Sequence, residues 1–236
     1  MTTALVLGGA GGIGAAVTRR LAADHDVTIT HHGHPERAEA LAAELGDRVR
    51  TVTADATTEE GVVAAFDAAQ ERGELTVVVD CVGGWDYPRI TELTSEQIHE
   101  SLSLNLVSGL LVLREATRRV ADGGRVVMVS SAAARVAPAR QSTYAAAKAG
   151  LEAASRVAAK EVARRGVTVN VVRPGATDTE YMRSITSDKA IDAMAGSNAM
   201  RRLGTPEDIA GVVALLVSPD AAWVTGDVID ATGGLA

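Results

Sequence analysis

Short apolar stretches rich in Val, Ile and Thr recur along the chain, and segments with apolar residues at helical spacing separate them. Stretches such as VVVDCV and RVVMVSS are apolar almost throughout, which is typical of parallel strands covered by helices on both faces. The pattern therefore predicts an α/β fold, a doubly wound parallel sheet of about seven strands with helices on both faces. The predicted strands are residues 4–7, 27–30, 49–53, 75–80, 125–130, 167–172 and 228–229.

Capping residues indicate where several of the intervening helices begin. Pro35 suits a first helical turn, and Thr58, Thr94 and Thr205 each precede acidic or amide residues that favour such a turn. Apolar periodicity also predicts two long helices, over residues 98–120 and 144–162.

Composition limits the classes of protein to consider. The 236 residues, 47% of them hydrophobic, suffice for one substantial core, and no linker or repeat divides them, so we expect a single domain over residues 1–236. A net charge of −7 and few aromatic residues disfavour nucleic acid as a partner. The single Cys81 and scattered histidines offer no metal-site spacing. With no basic leader and no long apolar run, we expect a soluble, cytoplasmic protein without membrane contact.

A glycine-rich loop follows the first predicted strand. It contains Gly8, Gly12, Ile13 and Gly14, and a helix is predicted directly after it. Glycines let the backbone turn sharply and approach a pyrophosphate, which then lies on the free amides of the helix N-terminus. Such a loop alone is weak evidence, but its place between the first strand and the first helix favours a dinucleotide site over a structural turn.

The end of the second strand indicates which dinucleotide binds. An acid there would contact the adenosine ribose, whereas a basic group would suit a 2′-phosphate. His31 and His32 stand there without an acid, and Arg37 follows, so the sequence favours NADP(H) over NAD(H). The alternative is a pair of solvated loop histidines. After the third strand, Asp55 beside Ala56 could accept a hydrogen bond from an adenine amino group or cap the next helix.

Tyr144 and Lys148 lie four residues apart in a predicted helix, so both project from one face. A neighbouring cation favours the phenolate and would bring the tyrosine pKa toward values useful for proton transfer. Similar pairs also occur on solvated helices without any chemical role, and the pair alone does not exclude that alternative.

A series of motifs extends the pattern: GxxxGxG from Gly8, then Ser131, YxxxK from Tyr144, and an Arg-Pro-Gly run from Arg173. In their order and intervals these motifs resemble the short-chain dehydrogenases/reductases, a family with a Rossmann-type NAD(P)-binding domain, over almost the whole chain. Residues 141–182 are especially similar to the 3-oxoacyl-carrier-protein reductase branch. The resemblance implies hydride transfer between a nicotinamide and a ketone or secondary alcohol.

The resemblance also implies catalytic roles for four side chains. Tyr144 would donate or accept the proton, while Lys148 would tune it and hold the nicotinamide ribose. Ser131 would hold and polarise the substrate oxygen; Ser130 is the local rival, and its simpler role is to close the strand. Asn105 would hold a water that links Lys148 to solvent, although an Asn within a helix is otherwise only a tolerated polar residue.

Two sequence departures from the family concern structural hydrogen bonds between central strands. Asp80, Cys81, Val82 and Gly83 stand where the family usually has Asn-Asn-Ala-Gly, and Leu7 stands where a Thr often precedes the glycine loop. The catalytic set is intact. The further cofactor contacts that the resemblance implies are Val82, Gly83, Tyr144, Lys148, Pro174, Gly175, Thr177 and Thr179.

Substrate contacts are expected from residues 85–87, from residues 132–141 and from a lid at about residues 178–202. Trp85 and Tyr87, with Asp86 between them, could form an apolar wall or a subunit contact. The expected substrate is a small carbonyl or alcohol compound, with an acyl thioester as one candidate. Basic residues that could dock a thioester carrier are Arg135, Arg140, Arg201 and Arg202.

Three functions remain to be compared. The intact Ser131, Tyr144 and Lys148 favour an NAD(P)-dependent dehydrogenase or reductase over a non-catalytic dinucleotide-binding sensor on the same fold. An epimerase or dehydratase usually carries an extra substrate domain, and the short C-terminal region argues against one. The long helices and the C-terminal stretch resemble the subunit contacts of the family, which implies a homotetramer.

Overall fold

The computed structural model describes residues 2–85 and 88–235 of the chain. These residues form seven strands: β1 (Thr2–Leu7), β2 (Asp26–His31), β3 (Val49–Thr53), β4 (Glu74–Asp80), β5 (Arg125–Val129), β6 (Thr168–Pro174) and β7 (Val228–Ala231). All neighbouring strands pair in parallel, in the order β3-β2-β1-β4-β5-β6-β7. The predicted fold class is confirmed, and the strand ends differ from the predicted ones by at most two residues.

Helices connect the strands and cover both faces of the sheet. In the described ranges the α-helices are α1 (Gly12–Leu21), α2 (Pro35–Leu45), α3 (Glu59–Gln70), α4 (Ser95–Leu102), α5 (Ser108–Arg119), α6 (Ala133–Val136), α7 (Ser142–Val162), α8 (Glu180–Ile185), α9 (Asp188–Gly196) and α10 (Pro206–Val217). None of these helices combines the length and apolarity needed to cross a bilayer.

Strand β1 shows why the sheet sequences are apolar without alternation. Leu5 and Leu7 enter a core on one face, together with Phe66 of α3, whereas Ala4 and Val6 enter a second core on the other face. Successive strand residues point to opposite faces, so a strand covered on both sides needs apolar residues at every position.

The strand order changes direction at β1. Strands β2 and β3 lie on one side of β1, and strands β4 to β7 lie on the other. Leu7 at the end of β1 pairs with Asp80 at the end of β4. In open α/β sheets a crevice forms at the carboxyl ends of strands beside such a reversal. The predicted glycine loop begins at this crevice.

The stretch predicted as a long helix over residues 98–120 is helical from Ser95 to Arg119, but it is not α-helical throughout. The chain forms α4, a π-helical turn at Ser103–Val107 and then α5, and the backbone N–H of Ser108 donates to the carbonyl of Ser103. A π-helical turn inserts one extra residue into a helix and re-aims the side chains on it, often at a functional site. Here the turn contains Asn105, whose side chain is buried.

Candidate active site

Loops at the carboxyl ends of β1, β4, β5 and β6 surround a cavity of about 430 Å³. Among the described residues that line it, Lys148 bears the one charged side chain. The cavity brings together most of the predicted site residues: Gly8, Gly12, Ile13, Gly14, Val82, Gly83, Ser131, Tyr144, Lys148, Pro174, Gly175, Thr177 and Thr179.

A second cavity of about 410 Å³ continues the groove past the glycine loop, because both cavities share Gly8, Val82 and Gly83. Its far side contains the remaining predicted cofactor residues, His31, Asp55 and Ala56, together with His32 and Arg37. The groove thus runs from the end of β2 to helix α7.

The glycine loop is shaped by backbone geometry that side chains would prevent. Gly8 has φ +68°, in the left-handed region that favours glycine. A β-carbon on Gly14 would lie 2.1 Å from the carbonyl oxygen of Gly8, and one on Gly12 would lie 2.7 Å from the Thr179 methyl group. The loop therefore stays tight, and α1 starts at Gly12 with its amides toward the groove.

Helix α7 carries Tyr144 and Lys148 on its buried face, with 8% and 3% of their surfaces exposed. The ammonium nitrogen of Lys148 lies 6.0 Å from the centre of the Tyr144 ring. It donates to the carbonyl oxygens of Val82 at 3.2 Å and Val129 at 3.0 Å. Burial lowers the pKa of Lys148, while the negative charge of Asp80 raises it again.

Asp80 and Cys81 occupy the positions where the sequence departs from the family. Burial raises the pKa of Asp80 to about 6, against the opposing effects of Lys148 and of the Val82 N–H that donates to Oδ1 at 3.0 Å. Burial also raises the pKa of the Cys81 thiol, and the backbone N–H of Cys81 donates to the Leu7 carbonyl at 3.0 Å. An ionisable carboxylate therefore lies close to the predicted catalytic lysine.

Ser130 and Ser131 have different surroundings. Both serines line the cavity, but the buried Ser130 hydroxyl donates to Glu152 Oε1 at 2.8 Å, whereas Ser131 Oγ accepts from the Ala133 N–H at 3.2 Å. Glu152 forms a two-point ion pair with Arg173 of β6, at 2.9 and 2.7 Å, which raises the pKa of Arg173. Ser130 thus belongs to a buried network between α7 and the sheet.

Glu152 was missed by sequence reasoning, although its position contains a signal. Glu152 lies one turn after Lys148 in the same helix, on the face that Tyr144 and Lys148 share. An acidic residue on a buried helix face indicates that a basic partner lies opposite it. The partner, Arg173, comes from the predicted Arg-Pro-Gly motif.

The Asn105 side chain binds the backbone of the segment after β4, at Gly84. Its Oδ1 accepts from the Gly84 N–H at 3.1 Å, and its Nδ2 donates to the Gly84 carbonyl at 2.9 Å and to the Ser101 carbonyl at 3.0 Å. A β-carbon on Gly83 would lie 2.9 Å both from Asn105 Oδ1 and from Lys148 Nζ. Asn105 and Lys148 therefore border the same small space at Gly83.

Trp85 and Tyr181 form part of the cavity wall. Tyr181 belongs to α8, which together with α9 gives helical structure to much of the predicted lid. Substrate contacts are also predicted for Asp86 and Tyr87, which follow Trp85 in the chain, but these two lie outside the described residues.

The segment predicted as a lid also contacts the far end of the groove. Glu180, the first residue of α8, accepts from the Arg37 guanidinium at 2.9 Å. Thr179 caps this helix by accepting from the Met182 N–H at 3.1 Å. The start of α8 therefore contacts α2 through Glu180 and the glycine loop through Thr179.

On the adenosine side, His31 is buried, with Nε2 3.3 Å from Thr53 Oγ1 and no partner for Nδ1 among the described residues. Asp55 Oδ1 accepts from the N–H and the hydroxyl of Thr57 at 2.9 and 2.7 Å, and these bonds lower the pKa of Asp55. Thr58 caps α3, so Asp55 is not its N-cap.

Arg135 and Arg202, two of the arginines considered for docking, form ion pairs with described residues. Arg135 lies 3.3 Å from Asp230, and Arg202 lies 2.5 Å from Asp208 and helps to lower the pKa of that acid to about 2. Arg140 and Arg201 both have positive φ angles, of 69° and 55°. The four do not form one basic cluster facing the cavity.

The residues present fit a dinucleotide. The first turn of α1 lines the cavity and has no side-chain cap, so its amides are available to a ligand, and the buried Nδ1 of His31 has no hydrogen-bond partner among the described residues. Across the described ranges, no group of three or more His, Cys, Asp or Glu side chains could hold a metal ion.

Residues 8–236 match the protein-family profile described as enoyl-(acyl carrier protein) reductase. An uncharacterized oxidoreductase of Methylorubrum extorquens is 35% identical over 98% of this chain and 96% of its own length. The 3-oxoacyl-[acyl-carrier-protein] reductase MabA of Mycobacterium tuberculosis is 34% identical over 98% and 91%. The cyclic-di-GMP-binding biofilm dispersal mediator protein of Escherichia coli is 33% identical over 95% and 92%. A solved short-chain dehydrogenase/reductase of Serratia marcescens superposes with a TM-score of 0.93 at 32% identity, covering 99% and 97%.

Proposed function

The chain belongs to the short-chain dehydrogenase/reductase family and resembles its 3-oxoacyl-carrier-protein reductases, and on this premise we propose that it transfers a hydride between a nicotinamide and a ketone or secondary alcohol. Tyr144 acts as the general acid and base. The observation that carries the proposal is the buried ammonium of Lys148, 6.0 Å from the centre of the Tyr144 ring in one cavity with the glycine loop.

The proton passes through Tyr144. In reduction the phenol gives its proton to the substrate oxygen, and in oxidation the phenolate takes it back. The positive charge of Lys148 favours the phenolate. Two of its three N–H groups donate to Val82 and Val129, so one is left for a ribose hydroxyl of the cofactor.

Ser131 and Asn105 complete the catalytic set. The Ser131 hydroxyl lines the cavity and is suited to hold the substrate oxygen as negative charge develops on it. Asn105 Oδ1 and Lys148 Nζ both border the space at Gly83. A water held there by Asn105 would connect Lys148 to a proton supply.

The groove fits the two halves of a dinucleotide, which when bound supplies or accepts the hydride. The glycine loop, with Gly8, Gly12, Ile13 and Gly14, would hold the pyrophosphate on the uncapped amides at the start of α1. His31, Asp55 and Ala56 are the candidates for the adenosine half. For the nicotinamide half the candidates are Val82, Gly83, Tyr144, Lys148, Pro174, Gly175, Thr177 and Thr179.

We propose NADP(H) as the preferred cofactor. The cavity at the end of β2 has His31, His32 and Arg37 on its wall, and these groups suit a 2′-phosphate. The ion pair between Arg37 and Glu180 competes with that phosphate, so the preference should be modest.

The substrate is proposed to be uncharged near its reacting carbonyl. Lys148 is the one charged side chain among the described residues of the cavity, and its ammonium already has two backbone acceptors. Burying a carboxylate in such a wall without a partner is costly. Ketones and 3-oxoacyl thioesters meet this requirement, and the proposed lid over residues 178–202 would close over them.

We also propose assembly into a homotetramer through α5 and α7. Leu110 on α5 and Val157 on α7 expose 42% and 55% of their surfaces, and Val107, at the end of the π-helical turn before α5, exposes 43%. Light scattering on the purified protein tests this proposal, and a monomeric mass would overturn it.

Turnover assays test the activity. The protein is incubated with NADPH or NADH and a panel of ketones and 3-oxoacyl thioesters, and the absorbance of the reduced nicotinamide is followed. We expect oxidation of the cofactor by wild type and none by Tyr144→Phe, which should still bind cofactor in a fluorescence titration. Near-native kcat in Tyr144→Phe would remove Tyr144 from the mechanism.

A non-catalytic sensor on the same fold is the alternative function. It is favoured by the similarity to a relative named as a cyclic-di-GMP-binding mediator. Cofactor binding without turnover across the whole panel would support the sensor, as would binding of cyclic-di-GMP in the same titration.

A further inference from the structure

Two side chains hold consecutive residues of the segment after β4, and each satisfies both backbone groups of one residue. Asn105 pairs with the N–H and the carbonyl of Gly84 at 3.1 and 2.9 Å. The Tyr181 hydroxyl donates to the Trp85 carbonyl at 2.6 Å and accepts from the Trp85 N–H at 3.3 Å. Asn105 comes from the π-helical turn and Tyr181 from the lid, so the segment is held from two sides.

The indole of Trp85 contacts two tyrosine rings. It meets the Tyr181 ring edge to face, with centroids 5.1 Å apart and planes at 88°. It also packs against the Tyr144 ring, with centroids 5.6 Å apart and planes at 41°. These separations are those of favourable aromatic contacts, so a displacement of Trp85 changes the surroundings of the proposed catalytic phenol.

Tyr181 is well placed to control that contact, although 45% of its surface is exposed. Its hydroxyl fixes the backbone of Trp85, and its ring supports the indole. Because Tyr181 is so exposed, its burial contributes little to stability. Its main contacts are the two hydrogen bonds and the ring contact with Trp85.

We propose that Tyr181 is a positioning residue, which acts through Trp85 to hold the Tyr144 ring and exclude water from it during the reaction. The proposal rests on the proposed function of Tyr144. It assigns helix α8 a part in the chemistry, since Tyr181 holds the backbone of Trp85 through its hydroxyl and contacts the indole through its ring, and that indole packs against the Tyr144 ring.

Fluorescence can report on Trp85 alone. The chain has two tryptophans, and Trp223 is 98% exposed, so Trp223→Phe leaves Trp85 as the single emitter at little cost to the fold. In this background Tyr181→Phe keeps the ring and removes both hydrogen bonds. We expect a red shift of the Trp85 emission and stronger quenching by acrylamide; an unchanged spectrum and unchanged quenching would overturn the proposal.

Measurements of kcat distinguish positioning of Trp85 by Tyr181 from a general loosening of the proposed lid. Tyr181→Phe should lower kcat by roughly tenfold, because small misplacements at a reacting group are costly, while NADPH binding stays the same. Arg183→Gln is the matched control, since it breaks an exposed ion pair of α8 with Asp178 and leaves Trp85 untouched. An equal loss in Arg183→Gln, or unchanged kcat in Tyr181→Phe, would overturn the proposal.

A double-mutant cycle tests the path through Trp85. If Tyr181 acts through the indole, Tyr181→Phe should have no further effect on kcat in a Trp85→Leu background. The same tenfold loss in both backgrounds would refute that path. Failure of the proposed function is distinguishable, because wild type would then show no turnover while the Trp85 fluorescence still responds to Tyr181→Phe.

Discussion

Arg37 and Glu180 lie 143 positions apart in the chain and meet at 2.9 Å, which ties helix α2 to the first residue of helix α8. Arg37, the cation proposed to bind a 2′-phosphate, is therefore already paired with a carboxylate of the proposed lid. Because both partners are largely exposed, the pair contributes no more than about 1 kcal/mol.

Glu180→Gln should strengthen NADPH binding by up to about fivefold and leave NADH binding unchanged, because Arg37 is released to the phosphate. Titrations of both cofactors measure this. Glu39→Gln, which removes an exposed carboxylate from α2, is the matched control and should change neither affinity. Equal gains for NADPH and NADH would contradict the assignment of Arg37 to the phosphate.

Gly83→Ala should lower kcat by about 10- to 100-fold, because the added β-carbon would stand 2.9 Å from Lys148 Nζ and from Asn105 Oδ1, and the φ of +157° disfavours a side chain. Gly84→Ala is a close control. A β-carbon there makes only ordinary contacts, the nearest at 3.4 Å. Equal kcat in the two variants would show that the space at Gly83 has no part in turnover.

Asp80→Asn should change activity only above about pH 6, the pKa of Asp80. Below that pH the wild-type carboxyl is neutral, like the amide. Above it the carboxylate raises the pKa of Lys148, so its loss should move the alkaline limb of kcat/KM to lower pH.

A pH–rate profile of wild type and Asp80→Asn tests this. Asp122→Asn removes an exposed carboxylate ahead of β5, at the opposite end of the sheet, and should leave the profile in place. Superimposable alkaline limbs in wild type and Asp80→Asn would mean that Asp80 does not influence Lys148.

A 3-oxo ester should be reduced with at least about tenfold higher kcat/KM than the corresponding 3-oxo acid, because the described cavity wall offers a carboxylate no unused cation. The 3-oxo amide is the matched control, because it is close to the acid in size but uncharged, and it should be reduced like the ester. Equal kcat/KM values would indicate a cation outside the described wall.

The fold was predictable because its signals are local. Parallel strands buried on both faces, such as β1 and β5, need unbroken apolar runs, and these appear directly in the sequence. The neighbourhood of Tyr144 and Lys148 was predictable for a similar reason, since helical spacing alone brings them to one face.

The remaining features depend on contacts between distant segments. The π-helical turn at Asn105 interrupts a stretch whose apolar spacing is that of one helix, with no proline to mark it. Tyr181 meets Trp85 from 96 positions away, and no local pattern records such a contact. Glu152 is intermediate, because an acid on a buried helix face implies a partner without identifying Arg173.

The place of β1 in the middle of the sheet has a consequence for synthesis on the ribosome. Strands β1 and β2 are synthesised before β4. One edge of β1 therefore stays unpaired until β4 pairs with it from Thr2 to Leu7. The glycine loop rests on the backbone of Cys81, just after β4. The glycine loop is therefore complete only after β4 has been synthesised and has paired with β1, a contact between segments about 70 residues apart that carries a loop-closure cost. Until then the open edge of β1 is exposed to mispairing.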